Sequence, residues 1–127
     1  MKRDMDLVRD LVLYIEADET WPKSIQNIEI EGYGNDGIQY HLFLMQEAGL
    51  IQGCDVSTRG HHNMAVLRLT WEGHEFATNA RNPSNWDKLK RALGDLGDIS
   101  FDIAKTCLAS IVGAGAGVAM TSYLTTK

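Results

Sequence analysis

The segment Ala48-Gly49-Leu50-Ile51 constrains this chain more than any other. Before it, Ile38, Leu42 and Met45 recur at helical spacing, with His41, Leu44 and Ala48 flanking them. Gly49 falls where a helix commonly ends in a left-handed residue. After it, an extended run begins at once. Leu50 to Ser57 and Met64 to Thr70 both read as strands, joined by the polar tip Thr58-Arg59-Gly60-His61-His62-Asn63. In the second run Ala65, Leu67, Leu69 and Trp71 alternate with a period of two and share one face. A helix that leads directly into a two-stranded hairpin fixes the centre of the fold.

The flanking segments extend this pattern. Met5, Val8, Val12 and Ile15 form a helical stripe, widened by Leu7, Leu11 and Tyr14. Asp4 suits the N-cap of this helix, and Asp6 lies at the positive end of its dipole. The helix should stop before Trp21-Pro22, because a residue preceding proline is pushed out of the α region. Ile28-Glu29-Ile30-Glu31 alternates as a short half-buried strand, Gly32-Tyr33-Gly34 breaks it, and Asn35 or Asp36 caps the second helix. Beyond the hairpin, Thr70 caps a helix from Trp71 to about Arg81 that buries Phe76, Ala77 and Ala80. Pro83 opens another, carrying Trp86, Leu89 and Leu93 and ending near Gly94. A last helix runs from about Ser100 to Leu124, with Phe101, Ile103, Ala104, Cys107, Leu108, Ile111 and Val112 on its apolar side. The expected class is α+β. Its layout is that of a winged helix over residues 1–82, and residues 83–127 form a helical extension that packs on the core or makes a dimer seam.

Local phrases carry a resemblance. Tyr40-His41-Leu42 through Glu47-Ala48-Gly49-Leu50-Ile51 resembles the recognition-helix end and wing start of many bacterial winged-helix regulators. Arg68 to Phe76 looks like the last wing strand and following helix of regulators of the multiple-antibiotic-resistance type. The opening Met1 to Asp10, Ile28 to Tyr33, Asp55 to Thr58 and Leu69 to Phe76 are together similar to a small bacterial and prophage-borne family known only as a domain of unknown function. That resemblance covers roughly residues 1–105. It implies a fold and a mobile-element context, and brings no catalytic residues with it.

Composition limits the function classes. At 127 residues the chain suits one domain with one hydrophobic core. Its net charge of −5 handicaps nucleic-acid binding, which draws on Lys and Arg displacing counterions from phosphate. The charged, helix-patterned start does not read as a secretory signal, and two distant cysteines, Cys54 and Cys107, make no disulfide framework. A cytoplasmic protein is expected.

Nucleic-acid binding would place the early residues of the second helix on base edges, with Asn35, Asp36, Gln39 and Tyr40 exposed. Asn and Gln can pair with adenine. The helix has no Lys or Arg, however, and Asp36 repels phosphate. The wing offers Arg59, His61, His62 and Asn63 for backbone or minor groove. A solvated polar face and an ordinary exposed turn account for the same residues. No cofactor or metal is expected: Cys54, Asp55, His61 and His62 lack the spacing of a structural zinc site. No nucleophile elbow, Walker loop or dinucleotide turn is present, both cysteines sit on apolar stretches, and an enzyme or small-molecule site is not expected. His41 is expected to be packed or capped against the wing and His74 to be exposed on its helix.

The last helix suggests interaction. Thr106 to Leu124 is uncharged, and Gly113 to Gly117 has the small-residue spacing of close helix pairing. Such a length can span a bilayer, but Gly, Ala, Ser and Thr dominate it, so burial or dimerisation through Leu108, Ile111, Val112, Gly113 and Gly117 is the favoured reading. Two functions stand side by side. One is a regulatory accessory contacting duplex DNA through Asn35, Gln39, Tyr40, Arg59, His61, His62 and Asn63. The other is a module of the same fold that dimerises or docks on a host or phage protein.

Overall fold

Helix α1 (Met5–Ala17) begins where the Asp4 carboxylate accepts the N–H groups of Asp6 and Leu7, at 2.9 and 3.3 Å. It buries Met5, Leu7, Val8, Leu11, Val12 and Ile15 and closes at Asp18, three residues before Trp21-Pro22. The computed structural model describes residues 1–94 and 100–125, and the side-chain surroundings of the last helix as far as residue 113. After α1 come α2 (Asn35–Glu47), β1 (Ile51–Asp55), β2 (Met64–Leu69), α3 (Trp71–Ala80), α4 (Pro83–Leu93) and α5 (Phe101–Thr125). The chain is thus mixed α+β, with five helices and one two-stranded antiparallel sheet among the described residues.

Two compact units divide it, Met1–Thr78 and Asn79–Lys127. In the first, α1 packs on α2 and β2, and α2 packs on both strands. Its centre is Leu11, Val12, Leu42, Met45 and Val66, each essentially solvent-free. At roughly 1.5–3 kcal/mol for each fully buried aliphatic side chain, this apolar contact dominates the unit's stability. In the second unit α4 packs on α5. Asn82 caps α4 by accepting the Ser84 N–H at 2.8 Å, Pro83 opens it, and Gly94 ends it at φ +75°.

The junction of α2 and β1 is built as its sequence requires. Gly49 takes φ +78°, and the Leu50 N–H returns to the Met45 carbonyl. The Thr70 hydroxyl donates to the Gly49 carbonyl and accepts the Gly73 N–H at 3.1 Å, so one side chain joins the end of α2 to the start of α3. Gly73 lies so close to the hairpin that a Cβ there would sit 2.1 Å from the Leu50 carbonyl oxygen.

Three expectations change. Ile28 to Glu31 is not a strand, although Ile28 is buried between exposed neighbours. Ile25 instead stands beside β2, in a single bridge where Ile25 and Val66 exchange both backbone hydrogen bonds, at 2.7 and 3.0 Å. Helix α2 starts after Gly34, without a side-chain cap from Asn35 or Asp36, which are already helical. Trp71 does not share the β2 face. The register shifts opposite Gln52 and Gly53, the strand ends at Leu69, and Trp71 is the first residue of α3.

Candidate functional site

Sheet and helices fix the polar residues of α2 first. Gln39, expected on a DNA-facing surface, is only 2% exposed, and its Oε1 accepts the Met64 N–H at 2.9 Å. It satisfies a strand amide that has no third strand to meet. His41 is equally buried and packs against the start of α1 rather than the wing. Its Nε2 accepts the Asp4 N–H at 2.8 Å, and its Nδ1–H donates to the Gly37 carbonyl at 2.8 Å. The Tyr33 hydroxyl donates to the Asp4 carboxylate at 3.0 Å. Desolvation first, and then that carboxylate, push the Tyr33 pKa up to about 12.

What α2 shows to solvent is acidic. Asn35, Asp36, Gln46 and Glu47 are exposed, and Tyr40 is 41% exposed with its ring edge-on to His41. Beside the helix start lies an open hollow of about 680 Å³, lined by Glu29, Glu31, Tyr33 and Asn35 among others. A phosphate backbone approaching this end would meet Glu29, Glu31 and Asp36 together.

The hairpin tip is a tight turn. Thr58 and His61 exchange both backbone hydrogen bonds at 2.9 Å around Arg59-Gly60, with Gly60 at φ +85°. Arg59, His61 and His62 are exposed, whereas Asn63 is half-buried, its N–H bonded to Ser57 Oγ. At the base of this tip the Ser57 side chain and N–H hold the Asp55 carboxyl below its ordinary range, with a smaller effect from His62. The hairpin tip therefore presents Arg59, His61 and His62, and α2 adds no Lys or Arg to them.

A second concavity escaped the sequence reading. A groove of about 370 Å³ runs between the end of α1 and the start of α3, over β2. Ile15, Ile25, Leu67 and Leu69 line it, Trp21 and Trp71 stand in its walls, and Glu16, Asp18, Arg68 and His74 complete it. The two indoles are 61% and 78% exposed. Arg68 Nη1 donates to the Leu69 carbonyl at 3.0 Å, which draws the guanidinium onto the strand backbone. The Thr20 hydroxyl and N–H both donate to Asp18 and hold its carboxyl below the ordinary range. Helical spacing carried the signal for Trp71. Gly73, Phe76, Ala77 and Ala80 are the buried stripe of α3, and Trp71 lies off it.

The remaining candidates separate. Leu108 is buried, so it offers no docking surface; Ile111 and Val112 are half-buried and Gly113 is exposed. The surroundings of Gly117 lie outside the described residues. Cys54 is exposed on β1 rather than packed, and Cys107 is half-buried. His74 is exposed, as expected. Among the described residues no group of His, Cys, Asp and Glu is placed to hold a metal ion, and no helix is long and apolar enough to cross a membrane.

Known proteins add a family to this geometry. A profile described as "Hypothetical protein (DUF2513)" matches residues 2–98. A protein named only "Uncharacterized protein", from Haemophilus influenzae, is 32% identical over 113 residues, which cover 88% of this chain and 96% of that one. No solved structure matches.

Proposed function

We propose a protein-docking function for this chain, which belongs to the family described as Hypothetical protein (DUF2513). In this reading residues 1–78 are a winged-helix-type module that meets a partner protein through the groove between Trp21 and Trp71. The element order supports the winged-helix part: α1, the Ile25 bridge, α2 and the β1–β2 hairpin follow that layout. No helix lies between Ile25 and α2, so the two-helix unit that normally seats a recognition helix on DNA is incomplete. Nor does α2 offer a reading face, since Gln39 is spent on the hairpin and the exposed positions include Asp36 and Glu47.

One observation carries the proposal: two tryptophans stand exposed at one apolar groove of a small acidic unit. Tryptophan is among the residues most enriched where binding energy concentrates, and exposed apolar concavities mark interaction sites. The opposing observation is the basic wing tip, Arg59 with His61 and His62.

Two measurements on the full chain decide between them. Fluorescence anisotropy with random duplex DNA at low salt should show no binding, and affinity capture from nuclease-treated cells should retain a stoichiometric protein that the Trp21→Ser/Trp71→Ser variant loses. Micromolar DNA binding that weakens linearly with salt on logarithmic axes, and weakens further in Arg59→Glu, would restore the nucleic-acid reading. Equal capture by both forms would move the docking surface away from the groove.

A further inference from the structure

The groove's surroundings bear on what kind of segment it takes. Residues 1–78 hold 13 Asp and Glu against 6 Lys and Arg, while residues 79–127 hold 4 against 6. The chain's acidity is therefore confined to the unit that carries the groove. Within the groove, Glu16 and Asp18 line the α1 side. Exposed Glu75 lies one turn along α3 from Trp71, on the same side of that helix. The groove's one guanidinium, that of Arg68, is turned onto the Leu69 carbonyl.

Aromatic faces and carboxylates attract the same ligand chemistry. An indole face draws a Lys or Arg head group by its quadrupole, with Trp the strongest of the aromatic rings. Carboxylates nearby add a charge-assisted hydrogen bond. The apolar floor, Ile15, Ile25, Leu67 and Leu69, takes an aliphatic or aromatic side chain. The backbone of β2 contributes little to such a contact. Its outward edge is already met by Gln39 at Met64, by Ile25 at Val66 and by Arg68 at Leu69. Strand addition is thereby blocked over that edge, and recognition falls to side chains.

We infer that the occupant is a short segment of a partner protein carrying a lysine or arginine beside an apolar anchor. The anchor sits on Leu67 and Ile25, and the cation lies over Trp71 or Trp21 within reach of Glu16 and Asp18. This inference rests on the docking function proposed above, and it predicts binding that salt weakens.

The test uses the full chain against a random twelve-residue peptide library displayed on phage, with selected peptides then synthesised and titrated. Peptides enriched in Lys or Arg next to an apolar residue are expected. Trp71→Ala should weaken them about tenfold. Glu16→Gln/Asp18→Asn should weaken them and flatten their salt dependence. Trp71 is exposed and Glu16 and Asp18 are half-buried, so matched far-UV circular dichroism and urea midpoints establish that the variants fold. Acidic or uncharged peptides that still need Trp71 would overturn the cationic partner and leave the docking function standing. Selected peptides that bind Trp71→Ala unchanged, or no enrichment at all, would overturn both.

Discussion

Replacing Gly73 by alanine tests the packing of α3 on the hairpin most directly. A Cβ at this position would lie 2.1 Å from the Leu50 carbonyl oxygen, 3.1 Å from the Leu50 carbonyl carbon and 3.2 Å from the Leu69 Cβ, where ordinary contact begins at 3.4 Å. The nearest atom is backbone and cannot swing aside, so α3 must lift by about an ångström. Lifting it strains the Thr70 hydroxyl, which bonds both the Gly49 carbonyl and the Gly73 N–H. Overpacking of this kind costs about 1–3 kcal/mol. Loss of the helix cap adds about 1 kcal/mol. Alanine's better helix propensity offsets about 1 kcal/mol of this. A net loss of about 2 kcal/mol follows, or a fall in Tm of roughly 8–16 °C for a unit of this size. Far-UV circular dichroism during heating and urea titration of the full chain reads it. Gly37→Ala is the control, since Gly37 also lies in a helix and a Cβ there meets nothing within 4 Å. That variant should match or slightly exceed the wild type. A Gly73→Ala chain as stable as Gly37→Ala would refute the close-approach argument.

Gln39→Leu keeps the volume but leaves the Met64 N–H without its acceptor, and should cost about 1–3 kcal/mol in urea titrations; an unchanged midpoint would return Gln39 to the list of surface residues. Tyr33 supplies a pH prediction. Its folded pKa, about 12, lies above the ordinary 10.0, so the folded state holds the proton more tightly. The stability this contributes is complete below pH 10 and is lost as pH rises towards 12. Tyr33→Phe should show a shallower loss across that window, and identical slopes for the two proteins would argue against the Tyr33–Asp4 contact.

Much of the fold was legible because period and punctuation agreed. The stripe from Met5 to Ile15, the Gly49 stop, the Thr70 cap and Pro83 each state a local preference that the packing satisfies. The resemblance to a family of unknown function, read over roughly residues 1–105, corresponds to the family match over 2–98. The errors arose where tertiary contact decided. Ile28 to Glu31 has the alternation of a strand, but its neighbour Ile25 takes the single place beside β2. Gln39 reads as an ordinary polar helix residue, and only the missing strand partner at Met64 explains why it turns inward. The groove was the least legible feature, because Trp21 and Trp71 lie 50 positions apart and come to line one concavity only once α1 and α3 flank the hairpin.

The clamp at the N-terminus has a consequence for how this unit comes apart. The first amides of a helix ordinarily exchange with solvent as the end frays. Here the Asp4 amide is held by a buried imidazole 37 residues further along, on α2, and the Asp4 carboxylate is held by Tyr33. Opening the first turn of α1 breaks its hydrogen bond to α2, and α2 is itself held to the hairpin through Gln39 and to α3 through Thr70 at Gly49. The first turn of α1 is thus tied to the core of the unit, and its amides are expected to exchange with the unit as a whole rather than ahead of it.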